Sequence, residues 1–161
     1  LADEGFARRF LDRLTAAGLE PHDLAVEVVE GVFLDDARAI IVDNLHILHE
    51  RGVAIELDDF GTGFASLTHL RSFPIDRVKI DYGFVADLMA DPQDATIVRA
   101  IVELAHNLGM AVVAEGVETE AQRARLERFG CDAAQGHLRA APMPEAAFAA
   151  WLEDAPPALT G

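Results

Sequence analysis

The chain has 161 residues, about half of them apolar, with one cysteine and a formal charge of −15. That length carries one domain with a real core, and no apolar stretch approaches the roughly 18 residues that a membrane-spanning helix needs. Acids outnumber bases by 28 to 13, which argues against long nucleic acids as partners but leaves room for a small anion held through divalent metals.

In chain order, an amphipathic helix is expected from about Asp3 to Ala17, then a strand "LAVEVVE" from Leu24 to Glu30. A helix from about Asp35 to Glu50 closes on Gly52, and the strand "VAIELD" leads to a short helical turn near Ser66 to Leu70. The strand "IDRVKID" follows, then a helix from about Asp94 to Leu108 ended by Gly109, and the strand "MAVVAE". A helix over about Glu120 to Phe129 closes on Gly130. A short segment "DAAQG" and a last helix, about Glu145 to Leu152, complete the domain, expected as residues 1–155 with a flexible tail over 156–161. Strands alternating with helices and reading as apolar runs predict an α/β protein whose parallel sheet is covered on both sides.

Such sheets place ligands at the carboxyl ends of their strands. The polar residues expected there are Glu27, Asp58 with Asp59, Lys79 with Asp81, Glu115 and Gln135. Crowded carboxylates repel unless a cation neutralises them, and an oxygen-only donor set suits Mg²⁺ or Mn²⁺ rather than zinc. An aspartate bridging two such metals, about 4 Å apart, with its neighbour on the second, would activate water and hold a phosphodiester for in-line attack. Gly61 and Gly63 allow the backbone to turn sharply behind the acids. By strand alternation Glu56 shares a face with Asp58, so it either pairs with Arg77 or Lys79 or is turned outward by a bulge.

These residues carry a family resemblance. "LDDFGTGFASL", "VKID", "VVAEGVET" and "QGHLRAAP", preceded by "LAVEVVE", resemble the motifs of the EAL-domain family in order and spacing. That family comprises bacterial phosphodiesterases that open cyclic di-GMP to linear pGpG in signalling. The resemblance implies a modified (β/α)8 TIM-type barrel, here a partial one of about five strand-helix units, and two Mg²⁺ or Mn²⁺ ions per complete site. It implies metal binding by Glu27, Asp58 and Asp59, with Asp58 as the bridge. Lys79 would hold the attacking water, and Glu115 would serve as metal ligand or general base. Gln135 would support site or substrate, and Glu30 would brace the 61–66 loop, which in this family couples metal binding to a dimer contact. Asp81, Gly61, Thr62, Gly63, Phe64, Glu118 and Pro142 fall on the surrounding motif positions.

The family's first third, including the Glu-Ala-Leu strand and a strand with an asparagine ligand, would lie upstream of Leu1, with a sensory or GGDEF-type domain further upstream. The implied partners are therefore cyclic di-GMP, a second copy through the 61–66 region, and that attached domain. A silent cyclic di-GMP receptor is the alternative function. Val29, Tyr82, Gly83 and His137 depart from the family pattern. No leader opens the chain and Cys131 has no intrachain partner, so a cytoplasmic setting is expected, free or on a membrane-attached protein. Cys131 itself is expected as an inert buried thiol, and His46, His49, His22, His69 and His106 as residues outside any ligand set.

Overall fold

The computed structural model describes residues 1–34, 38–61, 70 and 72–154. The expected turn near Ser66, the positions Thr62, Gly63 and Phe64, and the tail lie outside them. Among the described residues, five strands form one parallel sheet in sequential order: β1 Ala25–Val29, β2 Ala54–Phe60, β3 Arg77–Ile80, β4 Ala111–Ala114 and β5 Ala133–Ala134. Around them run α1 Phe6–Ala17, α2 Arg38–Glu50, α3 Tyr82–Ala86, α4 Pro92–Asn107, α5 Glu120–Phe129 and α6 Glu145–Asp154. The short α3 was not expected. It starts directly after β3, with Asp81 as its N-cap, and the Asp81 carboxylate accepts from the Gly83 N–H at 2.9 Å.

Strand order explains where the core lies. Parallel neighbours in chain order require right-handed crossovers of one sense, which stack the helices on one side of the sheet. Val28, Ile55, Leu57, Val78, Ile80, Val112 and Ala114 point to that side and join Leu45, Leu48, Val98, Val102 and Leu126 in one buried cluster. Each of these valines, leucines and isoleucines contributes about 1.5–3 kcal/mol through its removal from water.

The other face is only partly covered among the described residues, which narrows the expectation of two covered sides. It carries Ala25, Glu27 and Val29 on β1, Ala54, Glu56 and Asp58 on β2, and Arg77 and Lys79 on β3. Val29 is 52% exposed. The strands do alternate, with small or charged residues between branched ones, and the alanines disguise this alternation as a continuous apolar run.

Within this inner face, register sets Glu27 beside Glu56 and Glu56 beside Arg77. Glu56 is 7% exposed and pairs with the Arg77 guanidinium at 3.1 Å, the first of its two expected arrangements. Burying the carboxylate without that partner would be costly.

The amino ends of the strands carry a repeated device. His49, at the end of α2, meets Asp76 at 3.0 Å, and the other Asp76 oxygen accepts from the Ile55 N–H at 2.8 Å. Two strand-helix units later, on β4 instead of β2, His106 in α4 meets Asp132 at 2.8 Å, and Asp132 accepts from the Val112 N–H at 2.7 Å. Both histidines precede a glycine by three residues, in "HERG" and "HNLG". They fasten helix ends to the sheet floor, far from the expected site.

Burial pushes the Asp132 carboxyl up, but its hydrogen bonds to His106 and Val112 win and hold it below the usual carboxylate range. A depressed folded pKa adds stability above the unfolded value of about 3.9 and loses it as pH falls through the folded value. With both side chains nearly half exposed, Asp132→Asn should cost only about 0.5 kcal/mol at pH 7. The difference should close in urea titrations carried down to pH 3.

Candidate metal centre

In a regular strand, adjacent side chains point to opposite faces. Asp58 and Asp59 escape this rule through a β-bulge. Leu57 pairs with Val78 and Phe60 with Ile80, so two residues of β2 stand opposite the single Lys79 of β3. Asp59 takes a left-handed φ of 55°, a conformation that aspartate tolerates better than most side chains. The bulge re-aims Asp59 toward the side that Asp58 already faces and returns Phe60 to the buried side. Carboxylate oxygens of Asp58, Asp59 and Glu115 consequently lie within 4.8 Å of one another.

Lys79 sits at the centre of the acids. It is 4% exposed, and its Nζ lies 2.8 Å from Glu27, 3.3 Å from Asp58 and 2.5 Å from Glu115. Burial alone would lower its pKa. The hydrogen bonds to Glu115 and Glu27, with the charges of Glu115 and Asp58, outweigh burial and raise it. Lys79 is therefore a fixed cation and a donor, not a base. The Asp59 carboxyl is pushed above its usual range by desolvation first, then by the negative charges of Asp58 and Asp81.

The remaining expected residues divide into three groups. Glu27 reaches the centre through Lys79 and stands outside the tight carboxylate triplet. Glu30 is 3% exposed, and its Oε1 accepts from the Gly61 N–H at 3.0 Å. Gly61 has φ 105°, and an added Cβ there would come within 2.9 Å of the Phe84 ring, so the turn after the acids requires glycine. Gln135, Glu118 and Pro142 line a cavity of about 630 Å³ that Glu115 shares.

Sequence reading missed the residue that ties the two halves together. Buried Gln122 on α5 accepts through its Oε1 from the Glu118 and Thr119 N–H groups, at 3.0 and 2.9 Å. It donates through its Nε2 to the Val85 carbonyl on α3, at 3.0 Å. The loop after β4 is thereby locked to the helix after β3. Its signal was the Thr-x-x-Gln spacing of a capping box at the start of α5.

Cys131 behaves as expected of a structural thiol, with its pKa raised to about 11 chiefly by burial. No helix among the described residues is long and apolar enough to cross a membrane.

Known proteins resemble this chain in sequence and fold. Over 143 residues the chain is 46% identical to the bifunctional diguanylate cyclase/cyclic di-GMP phosphodiesterase MucR of Pseudomonas aeruginosa, covering 89% of this chain and 21% of MucR. The solved MucR phosphodiesterase in complex with c-di-GMP matches with a TM-score of 0.82 at 44% identity, covering 89% of this chain and 58% of that one. Klebsiella pneumoniae BlrP1, solved with manganese and cyclic di-GMP at pH 6, matches with a TM-score of 0.73 at 34% identity, covering 83% of this chain and 34% of that one. The chain thus spans about a fifth of curated MucR and somewhat over half of the solved MucR phosphodiesterase chain. Residues 1–142 match the EAL domain, and the chain belongs to that family.

Proposed function

We propose that this chain supplies most of the catalytic centre of a phosphodiesterase that opens cyclic di-GMP to linear pGpG. The bulge at Asp58–Asp59 carries the reading, because it gathers two adjacent carboxylates with Glu115 around a buried ammonium. Three carboxylate donors with no histidine or cysteine fit a hard, oxygen-seeking dication. BlrP1, whose structure contains manganese and cyclic di-GMP, supports that choice. Glu27, Asp58 and Asp59 would hold the ions. When bound, Mg²⁺ or Mn²⁺ would neutralise the acids, make a nucleophile of water and polarise the phosphoryl oxygens.

The chain's own residues do the rest. Lys79 remains charged and directs its N–H donors at the water or at a phosphate oxygen. Glu115, within reach of Lys79 and the aspartates, is a metal ligand or takes the proton of that water. Asp81 crowds Asp59 from the β3 end, and Glu30 fixes the start of the 61–66 loop through Gly61. Gln135, Glu118 and Pro142 frame the substrate beside the centre. Hydrolysis adds water at phosphorus and breaks one bond to a 3′-oxygen, leaving a 5′-phosphate and a 3′-hydroxyl.

A silent receptor would have no use for a carboxylate re-aimed by a bulge onto a second one. The protein is proposed to act in the cytoplasm, as a dimer through the 61–66 region, joined to a sensory or GGDEF-type domain. MucR, named as both cyclase and phosphodiesterase, is a precedent for such joining. Incubating the intact protein with cyclic di-GMP and Mn²⁺ and separating nucleotides by chromatography tests the reading. Appearance of pGpG supports it, and tight binding without product at any Mn²⁺ concentration would favour the receptor.

A further inference from the structure

The geometry points to Tyr82 as a specificity-determining residue, the platform on which one guanine ring of the substrate stacks; the assignment rests on the phosphodiesterase reading above. Tyr82 is the only tyrosine of the chain. It begins α3 immediately after Asp81, one of the acids at the centre, and remains 52% exposed.

Its ring is supported from behind by bare backbone. A Cβ added to Gly116 would fall 2.1 Å from Tyr82 Cδ2 and 2.9 Å from Cε2, and Gly116 holds φ +69°. The ring therefore rests against the Gly116 backbone, at a position that only glycine can occupy. Gln122 fixes both supports, because it bonds the loop carrying Gly116 to α3, which carries Tyr82.

Tyr82 also lines the 630 Å³ cavity, in company with Glu115, Glu118, Gln135, His137 and Pro142. That volume is in the range of small-molecule sites, which pair an apolar wall with a few placed polar groups. The carboxylate of Glu118 accepts hydrogen bonds and the amide of Gln135 both gives and accepts them, which suits the edge of a purine lying on the phenol ring. Glu115 belongs to the cavity and to the acid centre alike, so a base held there leaves its attached phosphate beside Lys79. The position is one where this chain departs from its family's usual basic residue, and an aromatic face replaces a charge.

Base stacking on an aromatic ring changes affinity by about tenfold or more, with little dependence on the step that follows. In the intact protein with Mn²⁺, Tyr82→Ala should raise KM for cyclic di-GMP about tenfold and raise the inhibition constant of pGpG in parallel, with kcat unchanged, the signature of lost uniform binding. Tyr82→Phe keeps the ring and should match the parent in all three. A fall in kcat at constant KM, or no change in either constant in Tyr82→Ala, would overturn the platform while leaving the phosphodiesterase intact. Failure of the parent protein to open cyclic di-GMP or to bind pGpG would overturn both.

Discussion

In EDTA at neutral pH, Asp59→Asn will melt at a higher temperature than the parent chain, and in Mn²⁺ the order will reverse. The parent holds Asp59 against Asp58 and Asp81, and desolvation together with these charges raises its carboxyl above the usual range. A carboxylate with a raised folded pKa opposes folding at pH values above it. The penalty fades as pH falls toward the unfolded value of about 3.9, because the proton is then bound in both states. Asparagine keeps the shape, drops the charge and tolerates the left-handed φ of 55° at this position. The advantage of the variant should accordingly be present at pH 7 and gone near pH 3.5.

Metal changes the balance because it binds only the folded site. At a hundredfold excess over its dissociation constant, it stabilises by about 2.7 kcal/mol. The parent should gain that shift and Asp59→Asn should lose most of it, along with about a thousandfold of turnover. Calorimetry in EDTA and Mn²⁺ at both pH values checks all of this. An Asp59→Asn protein that keeps its Mn²⁺ shift and its turnover removes Asp59 from the metal site.

Much of this site was legible because its parts announce themselves in one dimension. Asp58 and Glu115 each follow an apolar residue toward a strand's carboxyl end, Glu27 and Lys79 interrupt apolar strands as charges, and a parallel sheet brings such positions together. The double acid was legible as a pair but not as a bulge, since its geometry depends on how β3 pairs with β2. His49 and His106 stand outside any ligand set, as expected from the sequence, but their role as anchors was not legible there, because Asp76 and Asp132 arrive more than twenty residues later. Helix α3 has five residues, too few to show a helical period. Tyr82 was noticed as a departure, but its meaning needs Gly116, which joins it only across the sheet.

Lys79→Met should be the most damaging single change at the centre in metal-free protein. The ammonium is 4% exposed and answers carboxylates from β1, β2 and the end of β4. Methionine fills similar space and supplies no charge, so three acids are left facing one another. Removing one partner from a buried ion pair costs about 3–5 kcal/mol, and the partial exposure of these acids places the loss near 3 kcal/mol. The acids can recover part of that by taking up protons, so the deficit should be largest near pH 7 and shrink toward pH 4.

Mn²⁺ offers a second remedy for stability but none for chemistry. A dication can replace the missing positive charge and restore the melting temperature. It cannot replace a donor directed at the attacking water or the phosphate, so turnover should stay down by about a hundredfold or more. Lys79→Arg separates charge from geometry further. Its planar fork carries the charge but cannot direct donors from one point at Glu27, Asp58 and Glu115, so it should rescue folding more than rate. Should Mn²⁺ return Lys79→Met to full turnover, Lys79 would be a structural counter-charge and the water would be positioned by other groups.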